Sequence, residues 1–461
     1  MSQQRPHSPV KLQRVLRLRD LVIYGIILIQ PVAALPLFGH ANQISQGHAV
    51  ASILLAMVGM IFTAISYGRM ASLYPTAGSA YTYVSKGIHP YLGFVTGWSM
   101  CMDYLFIPII CIIYSAITAN HLLPIIPYSL WLLSFATLFT LLNLRGLKLA
   151  AISNWILMII MSIVVFYFMG AAIHFIIVRD GFNGLFSLKP IYDPANFSMK
   201  PLASATALAA LTYIGFDGIT TLSEEVRNPK KTVLLAAVIT CIVTGIWSGA
   251  QIYLAQLSWP DWTTFTQGLT TEAARNNALD TAIMDIAHRV GGSLLDISLT
   301  IVLLLASVGS GITAQIGASR LLYGMGRDGT IPNKFFGHLD KKYLTPNYNI
   351  ILVGAIALGC AFFFNYEESA RLINFGAFFA FMAVNLASMV EFYFRKTKKS
   401  IRDLLLNFLP SGIGLIICFF IWMNLPSKTF IIGGLWMLMG IFYLAIKTGG
   451  FRKKIGVISF S

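Results

Sequence analysis

Asp103, Asp217, Glu224 and Glu225 are acidic residues that fall inside or at the edge of long apolar runs. An ionisable group at that depth costs free energy in hydrocarbon and marks a polar site by default. A carboxylate placed there can pair with an ammonium group or exchange a proton. Asp103 stands near the middle of its run beside Tyr104, whose ring face also attracts ammonium groups. Asp217 lies between Gly215 and Gly218 and can cap a helix that starts after it. Glu224 and Glu225 come one to two turns later, close to Arg227, Lys230 and Lys231, and read either as gate residues or as surface pairs. His40, His48 and His174 lie near the ends of apolar runs and read as structural; Glu391, before a basic cluster, reads as a surface pair.

The elements that must hold these groups are helices in a bilayer. The chain has 461 residues, 56% hydrophobic and 11% charged. A soluble domain carries about 25% charged residues, so this chain cannot cover its own surface for water. Its apolar runs approach twenty residues, enough to span about 30 Å of hydrocarbon as helix. Twelve spans are predicted, near 20–46, 50–73, 91–119, 128–146, 152–178, 202–226, 231–257, 293–324, 348–365, 371–394, 404–424 and 429–447. The loops between them are short and leave no separate soluble domain.

The net charge is +15. In a chain of many spans this reads as positive charge on cytoplasmic loops, and no basic, aromatic-studded segment offers a seat to nucleic acid. With the N-terminus inside, the inner segments collect Arg17 and Arg19, then Arg227, Lys230 and Lys231, then Arg395, Lys396, Lys398, Lys399 and Arg402, then Lys447, Arg452, Lys453 and Lys454. Both termini are therefore expected in the cytoplasm, as tails 1–19 and 448–461. The first apolar run has no small-residue cleavage site and reads as a first helix rather than a signal peptide. Cys101, Cys111, Cys241, Cys360 and Cys418 all lie in apolar runs without metal-ligand or disulfide spacing. They read as packing residues, and neither metal nor cofactor is expected.

Two spans are interrupted. Span one reads Gln30-Pro31-Val-Ala-Ala-Leu-Pro36-Leu-Phe-Gly39, in which two prolines remove backbone donors. Span six reads Tyr213-Ile-Gly215-Phe-Asp217-Gly218. Broken backbone at membrane depth persists only when buried in protein or facing a polar cavity. Interrupted spans at matching places in two halves point to a transporter binding site. The spacing suggests inverted repeats over 20–178 and 202–394, with 404–447 as two added spans; two unrelated kinks are the alternative. No phosphate-cradling loop, paired-His zinc helix or nucleophile elbow occurs, so an enzyme is not expected.

The stretch Ile214-Gly-Phe-Asp-Gly-Ile-Thr-Thr-Leu-Ser-Glu-Glu-Val-Arg-Asn-Pro-Lys230 resembles the span-six signature of the amino acid–polyamine–organocation superfamily. Ser319-Arg-Leu-Leu-Tyr-Gly-Met-Gly-Arg-Asp-Gly-Thr-Ile-Pro332 resembles its span-eight and loop signature, and Tyr74-Pro-Thr-Ala-Gly-Ser-Ala-Tyr-Thr-Tyr83 the loop after span two. Within it, Phe62-Thr-Ala-Ile-Ser-Tyr-Gly68, Asp103-Tyr-Leu-Phe106 and Leu372-Ile-Asn-Phe-Gly-Ala377 look most like the bacterial putrescine importers. The resemblance implies an all-α membrane protein of twelve transmembrane helices, with a LeuT-like five-plus-five inverted repeat broken in helices 1 and 6. It also implies alternating access and proton-linked import of a small organic cation across a bacterial inner membrane. By position, Gln30, Pro31, Ala34, Asp103, Tyr104, Tyr213, Gly215 and Asp217 would line the substrate site, and Asp217, Glu224 and Glu225 would serve proton coupling or gating.

Two departures bear on the substrate. The superfamily's amino-acid carriers use a Gly-Ser-Gly type turn in span one, whose N–H groups hold a carboxylate. Here the turn is Pro31-Val-Ala-Ala, which favours an amine. The putrescine importers carry an acid near Pro36, and some relatives a span-five lysine where Met161 stands. A dication would then rely on Asp103, Asp217 and the glutamates. An amino-acid permease or exchanger of the same superfamily is the alternative substrate reading, and a sensor that binds without transport is a third.

Overall fold

The computed structural model describes residues 15–75, 79–146, 151–327, 331–340, 342, 343, 345–398 and 400–452; the side chains of 151–154 and of Glu224 are outside that description. The terminal tails beyond these limits, and parts of the motifs at 76–78 and 328–330, fall outside the described residues. Everything described is helix and connection, apart from one isolated bridge between Leu16 and Val226.

The first half of the chain forms α1 (Leu18–Ile29), α2 (Phe38–Ile44), α3 (Ala49–Leu73), α4 (Ser79–Gly87), α5 (Pro90–Leu122), α6 (Tyr128–Leu144) and α7 (Ala151–Asp180). The second forms α8 (Met199–Ala209), α9 (Gly218–Thr221), α10 (Pro229–Ser258), α11 (Glu272–Arg327), α12 (Asn333–Phe336), α13 (Asn347–Ala361), α14 (Tyr366–Met389), α15 (Ile401–Asp403), α16 (Leu409–Met423) and α17 (Ser427–Lys447). Among the described residues, nine helices are long and apolar enough to cross a membrane, and α6 and α13 are shorter apolar helices.

Local chemistry starts these helices where they start. The Arg17 N–H donates to Asp20 Oδ2 at 2.9 Å ahead of α1. Pro90 opens α5, where its missing N–H costs nothing. Asn365 and Glu368 form a reciprocal capping box at the head of α14. The first break stops α1 at Ile29, and the chain passes through a 3-10 turn at Leu35–Leu37 before α-helix resumes at Phe38. α11 corrects the sequence reading: helix already begins at Glu272, in a stretch read as a loop, and bends at Gly292, whose φ is +68°. The segment before the bend alternates charged and apolar residues, which hides it from an apolar-run search.

The ends sort onto two faces. On the first, Leu16 N–H donates to Glu225 O at 3.0 Å, Tyr91 Oη to Phe451 O at 2.9 Å, and Glu391 pairs with Arg395. Arg17 and Arg227 flank the Leu16–Val226 bridge, Lys230 and Lys231 open α10, and Arg395 Nη1 donates to Lys86 O at 3.4 Å. On the second face, Arg179 Nη2 donates to Leu257 O at 2.8 Å, and Lys428 pairs with Glu368. α3 packs along α10, and α5 along both α11 and α14, which places α5 in the interior.

Candidate functional site

The two breaks meet. Span six unwinds after Tyr213: Ile214 is extended, Gly215 takes φ +118°, and helix resumes at Gly218. A φ in that range suits glycine because it has no Cβ. Gly215 faces Leu28 and Ile29, the last residues of α1, at about 3.6 Å from a Cβ position. On the other side of the contact Gln30 itself has φ +70°. For a residue with a side chain this costs on the order of 1–3 kcal/mol, and such strain gathers at functional sites.

Gln30 is held by its side chain. Its Nε2 donates to Ser310 Oγ at 2.8 Å and to Ala306 O at 3.3 Å, both on α11. The next residue is held by its backbone: Pro31 O accepts from Trp247 Nε1 at 2.9 Å and Gln251 Nε2 at 3.0 Å on α10. Together these bonds tie the first break to α10 and α11 at the second-face end of the site. Below them lies a cavity of about 610 Å³ between α1, α5, α7, α11 and the span-six break. It extends past Tyr24, Tyr81, Gly97 and Leu321 toward the first face. That volume falls within the usual range of small-molecule sites, roughly 300–1,000 Å³.

Of the residues the sequence singled out, Gln30, Pro31, Asp103, Tyr104, Gly215 and Asp217 line this cavity. Asp103 is only 6% exposed, and its Oδ1 has no hydrogen-bond partner. Tyr104 is 39% exposed and open to the cavity. Asp217 sits just ahead of α9, its carbonyl accepting from Thr220 N at 2.9 Å. Ala34 and Tyr213 are buried away from it, and Tyr213 Oη donates instead to Ile53 O at 2.9 Å. The Glu225 carbonyl is tied to the N-terminal segment at the first face, and the Glu224 side chain lies outside the described residues.

Sequence reasoning missed the α11 wall. Gly309, Ser310, Thr313, Ala314 and Gly317 line the cavity at helical spacing. The signal was present as a stripe of small and hydroxylated residues inside a long apolar run. Met100, Met158 and Met161 join Ile27, Leu28, Ile107, Leu157 and Ile214 in the apolar part of the wall, so the span-five position lacking lysine does face the site. The arrangement can hold a small molecule with at least one positive end, against a carboxylate, on a flexible apolar bed.

A family model for the amino acid permeases matches residues 36–460. The chain belongs to the amino acid permease family. It is 33% identical over 449 residues to the low-affinity putrescine importer PlaP of Escherichia coli, covering 97% of this chain and 96% of that one. The branched-chain amino acid permease BcaP of Lactococcus lactis is 27% identical, with 96% of both chains covered. The methylthioribose transporter of Bacillus subtilis is 26% identical, covering 93% of this chain and 92% of its own. This permease is therefore a multi-pass membrane transporter of the amino acid–polyamine–organocation superfamily and not an enzyme.

Proposed function

We propose that this permease imports a small organic cation, with putrescine or a similar diamine as substrate, across a bacterial inner membrane. The observation that carries the reading is Asp103: a buried carboxylate with an unpartnered oxygen, facing a cavity bounded by two broken helices. An unpaired buried polar atom costs about 1–3 kcal/mol, and an incoming ammonium group removes that cost. Tyr104 offers a ring face to the same charge, and the methionines suit a methylene chain. Pro31 contributes no N–H to the first break, so that position offers a carboxylate no donor. PlaP, similar over nearly its whole length, is by name a putrescine importer.

The transport cycle in this reading is alternating access. Twelve helices cross the bilayer, counting α1–α2 and α8–α9 as two broken spans, with repeats over 20–178 and 202–394 and two further spans over 404–447. The basic first face is cytoplasmic, so the cavity is drawn facing inward with the outer side shut. Asp217, at the head of α9, takes the coupling proton, with Glu225 and Glu224 near the inner mouth. A divalent cation also gains about 4.6 kcal/mol from a 100 mV inside-negative potential, twice the ~2.3 kcal/mol per charge.

The test is uptake of labelled putrescine by proteoliposomes under an imposed pH gradient and, separately, an imposed potential. Accumulation blocked by unlabelled diamines but not by amino acids supports the proposal, and the gradient required identifies the coupling. The alternative of an amino-acid permease rests on BcaP. It is the conclusion if the same vesicles take up a branched-chain amino acid and no diamine.

A further inference from the structure

A second buried charge cluster lies outside the cavity, at the second face. His40 of α2 has its Nε2 2.8 Å from Asp280 Oδ1 of α11. Its Nδ1 is in ion-pair contact with Glu367 Oε2 of α14 at 3.1 Å, without hydrogen-bond geometry. Arg371 closes the set, with Nε and Nη2 at 2.7 and 2.5 Å from Glu367 Oε1. His40 is 1% exposed and Arg371 5%. The backbones meet beside it: a Cβ on Gly39 would lie 2.1 Å from Leu279 O. Thus three separate elements, α2, α11 and α14, are fastened at one point beyond the first break.

Charge counting decides the protonation of this assembly. Two carboxylates and one guanidinium leave one uncompensated negative charge in a buried site, which is strongly unfavourable. One proton, shared between His40 and Asp280, brings the set to neutrality. The other groups on the packed elements do not supply it: Glu272, Arg275 and Asp285 on α11 are exposed, Arg275 donating to Leu269 O at 2.9 Å. Tyr114 and Tyr366 stand close, ring centroids 5.1 Å apart, and are neutral phenols. Glu368 is bonded to Lys428 and to the Asn365 N–H. His48 is held by Ser45 O and by the Asp193 N–H, and Lys200 on α8 is exposed.

We propose that His40, Asp280, Glu367 and Arg371 form a proton-loaded latch: the second face stays shut while the cluster holds one proton, and losing it frees α2 from α11 and α14. The proton comes from water on the second face and returns there when the latch opens. The latch therefore sets the balance between closed and open states without carrying a proton across. It rests on the alternating-access reading, but on no choice of substrate. Once α2 separates, His40 is an exposed imidazole with an ordinary value of about 6.5. Closing then takes up a proton above that pH, and linkage makes opening rise about tenfold per pH unit there.

The test needs neither substrate nor gradient. Ser307 is buried one turn before Ser310, bonded at 2.9 Å to Ser115 Oγ next to Tyr114, and does not line the cavity. The full-length permease carrying Ser307→Cys is placed in lipid nanodiscs and labelled with a 5 kDa polyethylene glycol maleimide from pH 5.5 to 8.5, the parent chain setting the background from native cysteines. Rates are divided by the thiolate fraction measured on the unfolded chain. The corrected rate should climb above pH 6.5 in the parent latch. His40→Gln should label faster than the parent, with its rise moved to lower pH, because it removes the imidazole and leaves Asp280 to hold the proton alone. Asp280→Asn should label slowly at every pH, because it removes the charge that needs the proton. The double variant His40→Gln, Asp280→Asn should also stay shut, which separates charge balance from loss of fold; gel-filtration profiles check folding in each. A flat profile in the parent, or a His40→Gln profile matching it, overturns the latch. If diamine or amino-acid uptake persists in that case, the transport reading stands and only the latch falls.

Discussion

Gln30 and Ser310, 280 positions apart, are joined side chain to side chain at 2.8 Å across the roof of the cavity. One belongs to the break in span one and the other to the unbroken wall of α11. The bond fixes a residue whose own backbone is strained, and so couples the shape of the break to a rigid neighbour. A neutral hydrogen bond contributes about 1 kcal/mol net. Ser310→Ala should therefore lower the apparent substrate affinity about fivefold while membrane insertion is unchanged. Uptake measured over a substrate series decides it, and an unaltered half-saturation point would remove this bond from the site.

Asp103→Asn should separate stability from transport. The wild-type side chain is a buried acid with an unpartnered oxygen, so the amide should raise the thermal midpoint of the substrate-free protein. Loss of the charge partner costs about 1.5–3 kcal/mol of binding to an ammonium group, or roughly ten- to a hundredfold in affinity. A melting curve and a binding isotherm on the same sample check both halves. Retained diamine affinity would show that the charge is met elsewhere.

Gly39→Ala forces a methyl group into the Leu279 carbonyl. Overpacking of this kind costs about 1–3 kcal/mol, and here the strain falls on closure of the second face. Uptake should fall more than fivefold, with faster labelling of the Ser307→Cys reporter at every pH. Gly170→Ala is the control, since nothing lies within 4 Å of its Cβ position. Equal effects of the two changes would mean that the Gly39 contact has no part in gating.

Asp217→Asn tests coupling. If this carboxylate carries the proton, the variant should lose uptake driven by a pH gradient and keep uptake driven by potential. Measured in the same vesicle preparation, loss of both would make Asp217 a binding residue, and loss of neither would exclude it.

External pH should act through the latch as well. With no pH gradient and a fixed potential, wild-type uptake should vary with pH between about 6.5 and 8.5, and Asp280→Asn should flatten that part of the profile. The measurement is initial-rate uptake in matched buffers. A flattened profile with Asp217→Asn but not with Asp280→Asn would assign the pH response to coupling alone.

The sequence by itself determined the class of this protein and the place of its breaks. Apolar runs of that length are satisfied as helices in lipid, and two prolines at 31 and 36, or two glycines at 215 and 218 around an acid, weaken helix locally, whereas the single Pro108 stays inside α5. Asp103 was legible for the same reason: an acid inside an apolar run is conspicuous without any fold. The tertiary structure decided everything that depends on which helix faces which. It turned Ala34 and Tyr213 into the protein interior and brought Ser310 and Thr313 to the cavity. It also joined His40, read as a structural histidine, to Asp280 and Glu367, 240 and 327 positions away. Rotation of one helix about its axis costs little in local terms and changes every partner, so side-chain facing is fixed only by the packing of the whole bundle.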